Sequence, residues 1–148
     1  MTETDELKAE YLLIQQMYEA YDQRALSLKA LAAPLLGAGL AAAFSQRNAG
    51  ILLATFLVAV CLWFLEGMWK AFQYCLRRRI EILEEWFRGP RTEKLAPFQI
   101  YTSWGESWRA EYGHLRGQWT ILWLPFVFLP YAAIALCCIA FAAWFIFR

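Results

Sequence analysis

Two apolar runs of twenty residues, with only five residues between them, constrain this chain more than any other feature. ALSLKALAAPLLGAGLAAAF occupies 25–44, GILLATFLVAVCLWFLEGMW occupies 50–69, and SQRNA joins them. A helix of about 20 apolar residues crosses a hydrocarbon core of about 30 Å, so each run is long enough to span a bilayer. The linker permits nothing but a tight helical hairpin, so the two helices are expected to lie antiparallel and in contact. A third run, WTILWLPFVFLPYAAIALCCIAFAAWFIF at 119–147, exceeds what a core needs and is expected to tilt, kink or begin below the membrane. Hydrophobic residues are 60% of the 148, against roughly 45–50% in soluble domains, and the excess requires an apolar solvent. The expectation is an all-α membrane protein, one membrane domain over 1–148 with three transmembrane helices.

Flanking charge sets the expected orientation, because cytoplasmic loops retain Lys and Arg. Lys8 and Arg24 precede the first run, and Lys29 sits close enough to its start to extend its amine into the headgroups. Lys70, Arg77, Arg78, Arg79, Arg88, Arg91, Lys94, Arg109 and Arg116 lie between the second and third runs. Only Arg47 and Arg148 fall on the opposite side. The expected topology is that of a multi-pass bacterial inner-membrane protein, with a cytoplasmic N-terminus and the C-terminus outside. Trp69, Trp119 and Trp123 near the inner boundary and Trp144 near the outer one agree with it. The opening MTETDELKAE lacks the basic n-region and apolar core of a secretory signal, so no processing is expected.

The polar parts carry helical patterns of their own. Leu7, Tyr11, Ile14, Tyr18 and Tyr21 recur at alternating spacings of four and three and run on into the first span through Ala25, Leu28 and Ala32. Leu76, Ile80, Leu83 and Phe87 repeat that spacing after the second span, with Arg77–Glu81 and Glu84–Arg88 as i,i+4 charge pairs, and the pattern ends at Gly89-Pro90. Helices over 1–24 and 70–88 are therefore expected to extend the first two spans into a cytoplasmic, coiled-coil-like stalk. Each apolar stripe would be covered by the other or by a second copy of the chain. Ser103 and Glu106 fit a capping box for a helix over 103–118, on which Trp104, Trp108, Tyr112, Leu115 and Trp119 share one face. Such a tryptophan stripe opposed by charge suits a helix lying in the membrane interface. Gly105 and Gly113 weaken that helix.

Several residues invite a functional reading beside a plainer one. Glu66 is the only acid in an apolar run, and it reads either as a boundary ion pair with Lys70 at i,i+4 or as a group on an ion path. Ala33, Gly37 and Ala41 place small residues at intervals of four, a face for close helix approach in lipid. Pro34, Pro125 and Pro130 can kink their helices. Arg77, Arg78 and Arg79 read as positive-inside anchors, being fewer than the four to eight basic residues that mark lipid recognition. Cys61, Cys75, Cys137 and Cys138 show no metal or disulfide pattern and read as small apolar fillers with free thiols.

Enzymatic chemistry finds little footing. His114 is the only histidine, and neither a phosphate loop, a serine elbow nor a usefully spaced acidic pair is present, so no catalytic residue, metal site or cofactor is expected. Acidic and basic residues nearly cancel on the inner side, which argues against nucleic acid as a partner.

In layout, residues from YLLIQQMYEAYDQRALSLK through SQRNA to CLRRRIEILEEWF resemble the SLATT group of small bacterial membrane proteins. The resemblance implies a cytoplasmic helix, two spans and a returning helix, and a pore-forming effector role in nucleotide-triggered defence against phage. The third span and the Trp-rich segment 101–119 are additions to that plan. The chain also resembles uncharacterised three-span proteins of proteobacteria. Two functions follow as expectations: a self-associating, membrane-perturbing effector, or an accessory subunit that docks a cytoplasmic protein partner on its stalk. Any pore would be narrow or gated by dewetting, because Ser27, Thr55 and Thr120 are almost the only polar residues available to line it.

Overall fold

The computed structural model describes residues 3–90 and 94–147, so Arg91 and Arg148, both used in the orientation argument, lie outside the described residues. Among the described residues every regular element is helical: α1 (Glu3–Gln46), α2 (Ala49–Arg88), α3 (Ile100–Ser107), α4 (Leu115–Leu122) and α5 (Pro125–Ile146), with a π-helical turn at Trp108–Tyr112 between α3 and α4. Helices α1, α2 and α5 are long and apolar enough to cross a membrane. α1 has 44 residues and α2 has 40, about 66 and 60 Å at the helical rise, so each outruns a hydrocarbon core.

Local chemistry explains where the long helices begin and end. Glu3, Asp5 and Glu6 occupy the first turn of α1, where negative charge favours the helix N-terminus. Between α1 and α2 the chain reverses through Arg47, held in the left-handed region at φ 48°. Asn48 Oδ1 then accepts from the N–H groups of Gly50 and Ile51 at 2.8 and 3.3 Å and so caps α2. At the far end, Gly89 N–H closes on Glu85 C=O at 2.9 Å, and Pro90 cannot continue the helix.

The chain divides into two compact units. One comprises the chain up to Arg24 together with Trp69–Gln118. Its core is Leu7, Ile14, Leu76, Ile80 and Leu83, with Tyr11, Tyr18, Tyr21, Phe87 and Trp104 partly buried against them. The apolar stripes of α1 and α2 in this unit therefore cover one another within a single chain. Of the two charge pairs expected along α2, Arg77–Glu81 forms at 2.8 Å, whereas Glu84 accepts a hydrogen bond from the Tyr11 hydroxyl at 3.1 Å.

The segment expected as one helix over 103–118 is divided. α3 begins at Ile100 with Gln99 at its N-cap, so Ser103 lies inside the helix and its buried hydroxyl caps nothing. The helical path then widens to the π-turn and ends at Gly113. Closing it requires glycine: a Cβ on Gly113 would stand 2.9 Å from Trp108 C=O, and one on Gly117 would overlap Glu111 C=O. Trp104 and Trp108 stack with ring centroids 5.8 Å apart and planes at 4°, and both pack on Phe72. Trp104 Nε1 also donates to Phe72 C=O at 3.1 Å. These two tryptophans thus spend their stripe on α2, while Leu115 and Trp119 remain exposed.

The second unit is Ala25–Met68 with the chain from Trp119 onward. Two buried clusters hold it: Ala32, Leu36, Ala59 and Tyr131, and Ala43, Leu52 and Cys138. The third apolar run breaks at Trp123 and Leu124, where Leu124 turns extended and Pro125 opens α5. A proline at the first helical position sacrifices no intrahelical bond, which makes this a natural place to restart. The close approach of α1 to α2 falls at Gly39, where an added Cβ would overlap Thr55 Oγ1. Ala33, Gly37 and Ala41, the expected packing face, are exposed, and nothing lies within 4 Å of a Cβ built on Gly37. The helical register explains this placement, since Gly39 and Ala43 share the face that Ala32 and Leu36 present to the core, and the 33–37–41 row is turned away from it.

Candidate functional site

Charge among apolar helices is the costliest thing this second unit contains, so its ionisable groups define the candidate site. The geometry starts from a proline. Pro130 lies inside α5 and has no N–H, so the carbonyl of Phe126 one turn earlier loses its helical donor. Lys29 on α1 fills that gap, its Nζ 2.7 Å from Phe126 C=O. The same amine lies 2.8 Å from Glu66 Oε1 on α2, and Glu66 Oε2 accepts from the Tyr131 hydroxyl on α5 at 3.0 Å. One ion pair thereby ties three helices together. Glu66 is 3% exposed and Lys29 28% at the side chain, so the carboxylate depends on these partners while the amine keeps an edge to the surroundings.

A second orphaned carbonyl is satisfied in the same way. α4 ends at Leu122, whose C=O has no following turn to accept from, and the indole N–H of Trp63 donates to it at 3.0 Å. The tip of the Leu122 side chain rests against Gly67 on α2, in the space that a Cβ there would take. Thr55 Oγ1 donates to its own helix at Ile51 C=O, 2.9 Å away.

Glu66 is therefore paired, but with Lys29 and not with Lys70, and Lys29 does not reach away as a snorkelling residue would. The hairpin register decides this. Lys29 lies eighteen residues before Arg47 and Glu66 eighteen after Asn48 (47 − 29 and 66 − 48), so a two-residue turn brings them face to face. Lys70 belongs to the other unit and pairs with Asp22 at 2.8 Å. Partial burial opposes charge on Asp22, but hydrogen bonds from Lys70 and Gln73 and the Lys70 charge outweigh it and hold the carboxyl below its ordinary 3.8.

The unit whose core is Leu7, Ile14, Leu76, Ile80 and Leu83 holds a buried ion pair that the sequence pattern did not reveal. Arg79 donates from Nε and Nη2 to the two oxygens of Glu10 at 2.9 and 2.8 Å, a bidentate geometry. Glu10 also accepts from Phe98 N–H at 2.8 Å, and Arg79 donates to Ala96 C=O at 2.8 Å. The loop so gripped bends sharply, with Phe98 at φ 56°. Arg79 is 5% exposed and Glu10 0% at the side chain, so Arg79 is a clamp between α1, α2 and the loop and not a headgroup anchor. Arg77 and Arg78 are exposed. A charge run at 77–79 and an acid at 10 give no sign of this separately, because only the packing of α1 on α2 turns Arg79 inward.

Among the described residues no group of three or more His, Cys, Asp or Glu side chains is placed to hold a metal ion, and all four cysteines are free. Burial, with Glu111 nearby, pushes the Cys75 thiol up to about 12, which makes it inert and not nucleophilic. What the Lys29–Glu66–Tyr131 cluster can do is hold a charge pair closed and fix the spacing of three helices. No protein-family description, curated protein or solved structure matches the chain.

Proposed function

We propose that this chain is a non-enzymatic protein of the bacterial inner membrane, N-terminus inside, that self-associates and perturbs the bilayer when its polar helical unit receives a signal. The Lys29–Glu66–Tyr131 cluster carries this reading. With the pair closed, the acid and the base satisfy one another. With the pair separated, an acid and a base become available at adjoining spans, and each is strongly driven to find water or a new partner. A closed charge pair braced on a proline-freed carbonyl is thus suited to be the latch of a triggered state. The exposed row Ala33, Gly37 and Ala41 supplies a face for close contact between copies. The inward orientation rests on the basic residues that flank the spans.

A second reading, an accessory subunit of a larger assembly, is favoured by the internal bonding of Thr55, Trp63 and Glu66, which leaves these polar groups engaged and not lining a conduit. One pair of measurements separates the two. Native mass spectrometry in nanodiscs is expected to give a closed assembly of four or more chains, and Lys29→Ala is expected to raise ion leak from liposomes above wild type. A monomer or dimer whose leak is unchanged by Lys29→Ala overturns the effector reading and leaves the subunit.

A further inference from the structure

In the unit comprising the chain up to Arg24 and Trp69–Gln118, α2 and the π-turn enclose a polar cleft of about 290 Å³. Tyr74, Arg77, Arg78 and Glu81 line one side and Glu111 and Tyr112 the other. π-turns within helices concentrate at functional sites, and this one places Glu111 and Tyr112 at the rim. The charges are separated within the cleft. Arg77 donates from Nε to Glu81 at 2.8 Å, and Arg78 is exposed and forms no ion pair with a described residue. Glu111 lies beside the Tyr112 hydroxyl, whose pKa burial and that carboxylate push up to about 12. It therefore remains a protonated donor at any physiological pH.

Two guanidinium groups and two carboxylates cancel, so the cleft does not concentrate a simple anion or a simple cation. It suits a ligand that carries both charges. Arginines in a fork recognise phosphate, and a carboxylate beside aromatic faces recognises ammonium. The second preference is already acted out inside the protein, where Lys70 Nζ stands 5.4 Å from the centroid of the Tyr74 ring. Depth points the same way. Tyr74 lies five residues beyond Trp69 on α2, about 7.5 Å by helical rise, at the outer edge of a headgroup layer that reaches about 5–8 Å beyond the hydrocarbon core. Arg77 and Arg78 start about 12 and about 13.5 Å out, and their long side chains, which lean toward the helix N-terminus and so toward the membrane, carry the guanidinium groups back toward that layer.

We infer that this cleft binds a zwitterionic phosphate–ammonium headgroup, that of phosphatidylethanolamine in the surrounding membrane, with the phosphate on Arg77 and Arg78 and the ammonium on Glu111 and the ring of Tyr112. The inference rests on the reading of 50–69 as a span, and not on whether the spans conduct.

The test uses the full chain in nanodiscs of equal phosphatidylethanolamine and phosphatidylglycerol, with retained lipid identified by native mass spectrometry. Wild type is expected to retain phosphatidylethanolamine about tenfold over phosphatidylglycerol, and Arg78→Ala to lose retained lipid by a similar factor, the scale of one charge-assisted hydrogen bond. Glu111→Gln leaves the cleft with a net positive charge and is expected to reverse the preference toward phosphatidylglycerol. Arg78 is exposed and forms no ion pair among the described residues, so its variant should fold as wild type, which circular dichroism checks. Absence of a preference in wild type, or a preference untouched by both variants, overturns the site. Binding of soluble O-phosphoethanolamine without retention of the lipid overturns the lipid as its source. Failure of the chain to enter nanodiscs at all would instead sink the span reading.

Discussion

Removing Glu10 should loosen the polar helical unit more than any other single truncation of a charged side chain there. Glu10→Ala deletes three hydrogen bonds at 2.8–2.9 Å. It also strands a guanidinium that is 5% exposed, with Ala96 C=O as its remaining protein partner. Breaking one side of a buried pair costs about 3–5 kcal/mol, because the surviving charge keeps its desolvation penalty and loses its compensation. Domains are stable by only about 5–15 kcal/mol, so the unit should approach local unfolding. The double variant Glu10→Leu/Arg79→Leu removes both charges and should recover most of that loss. It should retain about 1–3 kcal/mol for the unpaired Phe98 N–H. Urea titration in nanodiscs reads these changes through the stacked Trp104 and Trp108, and hydrogen exchange across 94–100 reports whether the loop has been released. A Glu10→Ala loss below about 1 kcal/mol, the scale of an exposed pair, with exchange at Phe98 unchanged, would refute the argument.

Two further expectations follow from the same geometry. Gly39→Val should cost about 1–3 kcal/mol by driving a branched side chain into Thr55, whereas Gly37→Leu, which meets open space, should leave the melting temperature of a single chain unchanged and lower only cross-linking between copies. If Gly37→Leu also lowers the melting temperature, the assignment of the two faces is wrong. Alkaline stability should decline from about pH 9. Burial raises Cys75 from 9.0 to about 12 and Tyr112 from 10.0 to about 12. Stability from a group with a raised folded pKa is complete below its unfolded value and is lost as pH rises toward the folded one. Thermal melts from pH 8 to 11 should fall progressively, and Cys75→Ala should flatten the first part of the decline. A slope that the variant leaves unaltered would exclude Cys75 as its origin.

The apolar runs, the heptad spacing at 7–21 and 76–87, and the Gly-Pro stop after Arg88 could all be read from residue order, because each rests on local periodicity or composition. Residues whose roles depend on an encounter between distant segments could not. Arg79 looks like its neighbours Arg77 and Arg78 until α1 supplies Glu10 across 69 positions. Tyr131 looks like one more aromatic residue until its hydroxyl meets Glu66. The capping box at Ser103 matched a real motif in the wrong place, since the chain had already entered α3 at Ile100. The Lys29–Glu66 pairing stands between these cases. Equal distances from a two-residue turn imply it, but only once the turn is known to occupy Arg47 and Asn48 and not the whole of SQRNA.

Residue order by itself determined that this protein is helical, that three of its helices are long and apolar enough to cross a membrane, and where charge is excluded, because hydrophobicity and helical period are properties of short windows of chain. Tertiary structure decided which polar groups were paired, which glycine was crowded and which tryptophans were spent on packing. Those outcomes depend on the rotation of each helix about its axis, and a shift of one residue, about 100° on the wheel, would exchange a buried clamp for an exposed charge.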